Sequence, residues 1–228
     1  VLAPDLEALA AAAHQENARL VYLANPDNPS GHLHSDSAIL ELREALPDTC
    51  WLLLDEAYGD FRDDANSEFA AKAIPGVIRL RTLSKAHGLA GLRIGYAIAD
   101  PEVLAMMMKV RIHYAVSSLT LAAAEVVLDH PDEVHQHVAD VKARREQLAA
   151  HFRALGADVL PSATNFIGIR LPSAELAAEV HQQLLAEGVL VTRLTHPELA
   201  NVIRITAVQA ALEPGRLDAL EQAIKEHA

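Results

Sequence analysis

Apolar runs of strand length alternate with helix-period segments in the first hundred residues. Helical periodicity covers residues 4–17 and 35–46, and Ser35 or Asp36 is a candidate N-cap of the second segment. The apolar runs end in turn or acidic residues and lie at 18–26, 50–58, 77–85 and 93–100. Because strands that alternate with helices indicate βαβ units, the pattern predicts an α/β fold with a mainly parallel sheet and flanking helices.

The pattern changes after residue 102. Helical periodicity dominates at 102–112, 117–129 and 132–155, and Gly156 is a candidate helix stop. Shorter segments follow, with strand patterns at 165–172, 189–194 and 201–207 and helical patterns at 173–187 and 213–227. We therefore predict two domains, residues 1–115 and a smaller C-terminal α+β domain at 116–228.

The composition is that of a globular protein with a large core, since 51% of the 228 residues are hydrophobic and 22% are charged. The net charge is −12 and no segment gathers Lys and Arg, so nucleic acid is not an expected partner. No membrane span or signal peptide is predicted, and we expect the protein in the cytoplasm. Cys50 is the single cysteine, and the histidine spacing predicts no metal site.

Three turn-like clusters follow the predicted strands: NPDNPSG at 25–31, DEAY at 55–58 and TLSKAHGLAGLR at 82–93. Ligands of an open parallel sheet bind in the crevice beyond the carboxyl ends of its strands. We therefore expect the three clusters to form one candidate site.

The side chains in these clusters suit a phosphorylated carbonyl cofactor. Asp55 offers a carboxylate at a strand end, and Lys85 offers an amine that can form a Schiff base. Thr82, Ser84 and Arg93 offer hydroxyls and a guanidinium for a phosphate. An amine nucleophile, a phosphate cradle and a carboxylate for a ring nitrogen are the groups that pyridoxal 5'-phosphate (PLP) requires.

The strings NPDNPSG, LLLDEAYGDF, RTLSKAHGLAGLRIGY and NVIRIT together resemble fold-type I PLP enzymes of aminotransferase class I/II. The subgroup that they resemble most is histidinol-phosphate aminotransferase. The resemblance runs from residue 25 to residue 206, and it implies that residues 1–115 are the C-terminal portion of the large PLP-binding domain.

The resemblance also implies roles for nine residues. Lys85 would bond to the cofactor and later move a proton at the substrate's α-carbon, and Asp55 would pair with the pyridine nitrogen. The remaining residues divide into those for the cofactor's phenolic oxygen (Asn28 and Tyr58), those for its phosphate (Thr82, Ser84 and Arg93) and those for the substrate's anionic groups (Arg204 and Arg193).

The implied reaction is transamination between an amino donor and a 2-oxo acid. Histidinol phosphate with glutamate is the favoured pair, on the strength of two arginines and the subgroup's motifs. An aromatic or broad-specificity aminotransferase and a decarboxylase of phosphorylated amino acids remain alternatives. Family members are usually homodimers, so the resemblance also implies a homodimer.

The sequence departs from the family pattern at several points. His87 replaces an expected aromatic residue such as Phe, and Arg79, Arg81 and Arg170 fit no site and are assigned to solvated faces. Family members also carry a long N-terminal part before NPxNPxG that has no counterpart in these residues. Three interpretations stay open: a fragment, a chain completed by another polypeptide, or a protein that has lost the activity.

Overall fold

The computed structural model describes residues 3–64 and 72–225, which form two compact units. The parallel-sheet unit comprises Ala3–Asp27 and Leu33–Gln136. The antiparallel-sheet unit combines Asn28–His32 with the chain from His137 onward. The chain therefore leaves the first unit within the NPDNPSG segment, returns to it at Leu33 and leaves it finally inside a helix.

The sheet of the parallel-sheet unit has the order β1-β2-β3-β4. Its strands are β1 (Leu20–Ala24), β2 (Trp51–Asp55), β3 (Val77–Thr82) and β4 (Gly95–Ile98). The first three are mutually parallel, and β4 pairs with β3 in the antiparallel direction. The four predicted strands are thus confirmed as a mixed, mostly parallel sheet.

One face of this sheet carries the core of the unit. Two helices, α1 (Leu6–Gln15) and α2 (Asp36–Ala45), contribute buried apolar residues to the same cluster as the alternate residues of β1 and β2. The helices begin at side-chain caps, because Asp5 accepts a hydrogen bond from the Ala8 amide and Ser35 accepts one from the Ala38 amide. On the opposite face, Leu20 and Tyr22 are more than half exposed.

Three helices follow β4, as the sequence predicts: α3 (Pro101–Val110), α4 (Ser118–Leu128) and α5 (Pro131–Ala154). Gly156 follows α5 at a φ of +88°, a left-handed conformation that glycine adopts without steric cost. Among the residues that the structure describes, no helix is long and apolar enough to cross a membrane.

The antiparallel-sheet unit has a sheet of order β5-β6-β8-β7, in which every pair is antiparallel. Its strands are β5 (Asp158–Val159), β6 (Phe166–Arg170), β7 (Thr192–Arg193) and β8 (Val202–Thr206), and its further helices are α6 (Ala174–Ala186) and α7 (Pro214–Lys225). The strand predicted at 189–194 is shortened to two residues, and β5 was not predicted. The last residues of the helix predicted at 213–227 lie outside the described part of the chain.

Candidate active site

Asp55 lies at the carboxyl end of β2 and its two carboxylate oxygens each accept a hydrogen bond. The backbone amide of Ala57 donates to Oδ1 over 2.9 Å. The hydroxyl of Tyr22, from the neighbouring strand β1, donates to Oδ2 over 2.7 Å. These two bonds fix the orientation of the carboxylate at the end of the sheet.

Lys85 follows β3 by three residues and is half-buried. Its Nζ lies 5.5 Å from the centroid of the Tyr58 ring, a distance at which a cation is attracted to an aromatic face. The loop before Lys85 is held by Thr82, because the Ser84 amide donates to Thr82 Oγ1 over 3.1 Å and the Thr82 hydroxyl donates to the Ile94 carbonyl over 3.3 Å. The amine and the phenol predicted for the site are therefore neighbours.

Arg93 ends a short 3₁₀ turn, Ala90–Leu92, and has the left-handed backbone angles φ 52° and ψ 51°. This conformation is sparsely populated for residues other than glycine, and residues that adopt it are enriched at functional sites. The guanidinium is exposed and one of its nitrogens, Nη1, donates to the Ala90 carbonyl over 2.9 Å. Its other donors can bind an anion.

A cavity of about 300 Å³ gathers five of the predicted site residues. Asp55, Thr82, Ser84, Lys85 and Arg93 all line it. The three elements that supply them are the end of β2, the end of β3 and the loop that leads to β4. Residues from two of the three predicted clusters, DEAY and TLSKAHGLAGLR, therefore line one cavity, whereas a single site that also includes NPDNPSG stays a prediction.

Beside this cavity lies a buried ionic network. Glu56 is 1% exposed and accepts hydrogen bonds from Arg79 Nε and Nη2 over 2.9 and 2.8 Å and from Arg81 Nε over 3.0 Å. Arg81 Nη1 also lies 3.5 Å from Asp60 Oδ1. The assignment of Arg79 and Arg81 to solvated faces is wrong, because alternate residues of β3 point inward and Arg79 is completely buried. Arg170 does lie near the surface, 3.5 Å from Asp158 Oδ2.

Asn28 and Arg204 belong to the antiparallel-sheet unit, where they are in contact. Arg204 Nη1 donates to Asn28 Oδ1, and Nη2 donates to Thr192 Oγ1 over 3.3 Å. The guanidinium lies 4.9 Å from the centroid of the Phe166 ring. Arg204 Nε is buried and has no hydrogen-bond partner among the described residues. The Asn28 segment is anchored to the same unit, since the Ala163 amide donates to the Gly31 carbonyl over 2.9 Å.

Arg193 does not share a face with Arg204. In the pairing of β7 with β8, Thr192 is opposite Arg204 and Arg193 is opposite Ile203. Successive side chains of a strand point to opposite faces, so Thr192 and not Arg193 occupies the place beside Arg204 on this face of the sheet. The role of Arg193 in binding an anionic group of the substrate stays a prediction.

Two residues of the site region were missed from the sequence. Tyr22 lies within an apolar run and resembles a core residue. Glu56 is adjacent in sequence to Asp55, and only Asp55 was assigned to the site. The alternation of β1, β2 and β3 carries a signal for both, because it puts Tyr22 on the same face as Asp55 and puts Glu56 toward Arg79. That signal requires the strand register, which a single sequence does not contain.

Residues 1–224 match the family model described as "Aminotransferase class I and II". The chain belongs to this family. The match extends over almost the whole chain, and it agrees with the motifs that surround Asn28, Asp55, Lys85 and Arg204.

The relatives of this chain are named for two different substrates. An aromatic amino acid aminotransferase of Nocardia farcinica is 41% identical over 83% of the chain and 53% of the relative. Histidinol-phosphate aminotransferase 1 of Nitrosococcus oceani is 36% identical over 97% of the chain and 60% of the relative. The chain thus spans little more than half the length of these relatives.

A solved structure supports the fold-type I assignment. The crystal structure of histidinol-phosphate aminotransferase from Sinorhizobium meliloti in complex with pyridoxal-5'-phosphate superimposes with a TM-score of 0.87 at 35% identity. The superposition covers 97% of this chain and 60% of the S. meliloti chain. The predicted fold class is therefore confirmed.

Proposed function

We propose that this chain carries the cofactor-binding residues of a PLP-dependent aminotransferase. The observation that supports this function is the cavity of about 300 Å³ at the carboxyl ends of β2 and β3, which combines an amine, a carboxylate and a guanidinium in Lys85, Asp55 and Arg93. The family membership and the PLP complex of the S. meliloti structure support the choice of cofactor.

The donor set of the cavity fits this cofactor. Arg93 and the hydroxyls of Thr82 and Ser84 would hold the phosphate dianion, since a guanidinium binds phosphate oxygens through several N–H groups at once. Asp55 would bind the protonated pyridine nitrogen, because its carboxylate is already oriented by two hydrogen bonds. Tyr58, whose ring adjoins Lys85 Nζ, would bind the phenolic oxygen, and Asn28 is proposed for the same atom.

When bound, PLP supplies an electron sink for the carbanion that forms at the substrate's α-carbon. Lys85 would anchor the cofactor through Nζ before the substrate amine replaces it. The released amine would then take the proton from the substrate's α-carbon. It would deliver that proton to the cofactor carbon that is bonded to the transferred nitrogen. Asp55 would hold the positive charge on the ring that makes this proton removal possible, and Arg204 would bind the substrate carboxylate.

Histidinol phosphate with glutamate is the substrate pair that we favour. The N. oceani and S. meliloti proteins that bear this name match the chain over 97% of its length. An aromatic amino acid is the second candidate, and two observations favour it. The N. farcinica relative is 41% identical, and Arg193 lies on the face opposite to Arg204. A decarboxylase of phosphorylated amino acids is the third.

The activity of the whole protein, a homodimer and a cytoplasmic location are proposals as well. They come from the family resemblance, and the chain spans only 53–60% of the relatives that carry the named activities. The proposal of two domains divided at residue 115 likewise remains a prediction of the sequence.

An absorbance titration of the purified chain with PLP tests the proposal. We expect a band that depends on Lys85, and borohydride should fix the cofactor on the peptide that contains this residue. Lys85→Ala should abolish both signals, whereas Lys109→Ala, which changes an exposed lysine of α3, should leave them intact. Equal labelling of the wild type and Lys85→Ala would refute the assignment of Lys85.

A substrate panel on the PLP-loaded chain distinguishes the candidates. Histidinol phosphate, phenylalanine and a phosphorylated amino acid are compared for conversion with 2-oxoglutarate and for release of carbon dioxide. If Arg193 binds the phosphate, Arg193→Ala should weaken histidinol phosphate at least about tenfold and phenylalanine little. Equal losses for both would contradict the histidinol-phosphate assignment, and no conversion of any donor would favour a catalytically incomplete fragment.

A further inference from the structure

The register of β1 and β2 brings a tyrosine to the back of the Asp55 carboxylate. Tyr22 is paired with Leu53 and Ala24 with Asp55, so Tyr22 and Asp55 lie on one face and are offset by two residues along neighbouring strands. Two residues of a parallel strand span about 6.6 Å, which a tyrosine side chain can bridge and a shorter polar side chain cannot. The result is the 2.7 Å bond from the Tyr22 hydroxyl to Asp55 Oδ2.

Packing does not account for the hydroxyl group of Tyr22. The side chain lies on the exposed face of the sheet, where it is 55% exposed, and its neighbour on the same face, Leu20, is apolar and 53% exposed. A phenylalanine would make the same ring contacts. The property that distinguishes tyrosine here is the proton that it donates to the carboxylate.

We propose that Tyr22 is a positioning residue that orients the Asp55 carboxylate toward the cofactor ring. The inference rests on the proposed function, because it matters only if Asp55 binds the pyridine nitrogen. The Ala57 amide holds one oxygen and the Tyr22 hydroxyl holds the other, so the carboxylate cannot rotate about its last bond without losing a hydrogen bond.

Tyr22 stays a donor throughout the working range of pH. Partial burial first, and then the hydrogen bond and negative charge of Asp55, raise the pKa of Tyr22 to about 12. The phenol is therefore protonated near neutral pH and can donate its hydrogen bond to Asp55 Oδ2.

A double-mutant cycle on the affinity for PLP tests the proposal. Tyr22→Phe should raise the dissociation constant for PLP about fivefold to tenfold. This is less than the full effect of a hydrogen bond to a charged acceptor, because the site is partly exposed to solvent. In an Asp55→Asn background the same change should alter it less than about twofold, because the partner charge is gone. Tyr114→Phe removes a hydroxyl from a side chain that is 96% exposed and should have no effect.

Equal losses from Tyr22→Phe in both backgrounds, or no loss in the wild type, would overturn the proposal. A purely structural role predicts the first of these results together with a lower melting temperature of the cofactor-free chain. Tyr22→Phe should leave that temperature nearly unchanged.

A second readout does not require the cofactor. The chain has 4 tyrosines, so selective ¹³C labelling of the hydroxyl-bearing ring carbon gives a spectrum that Tyr→Phe variants can assign. Asp55→Asn should shift the Tyr22 resonance and leave that of Tyr114 in place. An unmoved Tyr22 resonance would overturn the contact itself. A shifted Tyr22 resonance in a chain that fails to bind PLP would overturn the proposed function and the positioning role that rests on it, and would leave only the Tyr22–Asp55 contact.

Discussion

His87 is the residue at which the sequence departs most clearly from the expected aromatic. Its side chain is 13% exposed, and Nδ1 lies 3.9 Å from Asp60 Oδ2, too far for a hydrogen bond. Burial lowers the pKa of His87, and the nearby carboxylate of Asp60 only partly offsets this. The imidazole therefore packs as a neutral ring beside the Lys85 loop.

We predict that His87→Phe makes the chain less sensitive to acid. The folded-state pKa lies below the value of about 6.5 for an unfolded histidine, so the wild type gains stability above that value and loses it as the pH falls toward the folded pKa. Urea unfolding between pH 7.5 and 5.5 should show a smaller loss for His87→Phe. His137→Phe, at an exposed histidine of α5, is the control and should follow the wild type. Identical pH profiles for the wild type and His87→Phe would contradict the prediction.

At the scale of elements, β3 combines a strand's alternation with buried charge. Val77, Arg79 and Arg81 point inward, and the two arginines converge on Glu56. Gly59 permits the close approach of Arg81, since a Cβ there would lie 2.8 Å from Arg81 Nη1. The network ties the end of β2 to β3, the two strands whose ends carry Asp55 and Lys85.

Arg79→Met should therefore lower the free energy of unfolding far more than the small change in side-chain volume suggests. It leaves the buried Glu56 with Arg81 as its remaining arginine, and removal of one partner of a buried ion pair costs about 3–5 kcal/mol. Arg170→Met breaks the partly exposed pair with Asp158 and should cost at most about 1 kcal/mol. The free energies of unfolding in urea measure both. A loss for Arg79→Met as small as that for Arg170→Met would refute a structural role of the network.

At the scale of the whole molecule, the exposed large apolar side chains of the described residues concentrate in one stretch of the chain. Most of the large apolar side chains that are exposed in the described residues lie between 106 and 128, on α3, α4 and their connection. Parallel sheets are normally covered on both faces, yet Leu20 and Tyr22 are exposed on one face here. Exposed apolar side chains that gather into a patch mark an interaction site or a tendency to aggregate.

We predict that the purified chain associates with itself and that charge on α3 and α4 suppresses this. Val110 and Leu119 are 83% and 74% exposed, so Val110→Lys/Leu119→Lys should not disturb the core. Sedimentation velocity at rising concentration should show a smaller average mass for this variant, with weaker binding of an apolar dye. Leu40→Lys, at an exposed leucine of α2, should have little effect. A wild type that stays monomeric at every concentration would exclude the prediction.

The sequence by itself determined the strands of the parallel sheet, the α-helices and the motifs that follow those strands. These features depend on local periodicity and on turn residues, which are properties of a short segment. The rule that ligands bind beyond the carboxyl ends of parallel strands then sufficed to gather Asp55, Thr82, Ser84, Lys85 and Arg93. The family resemblance supplied the proposed roles.

The tertiary structure alone decided which side chains meet across strands. The Tyr22–Asp55 bond, the inward arginines around Glu56 and the place of Thr192 beside Arg204 all follow from register. A shift of one residue in a strand sends each side chain to the opposite face, and register is set by packing between segments that are far apart in the chain. For that reason the sequence predicted the strands of this sheet but not the partners of Asp55, Arg79 or Arg204.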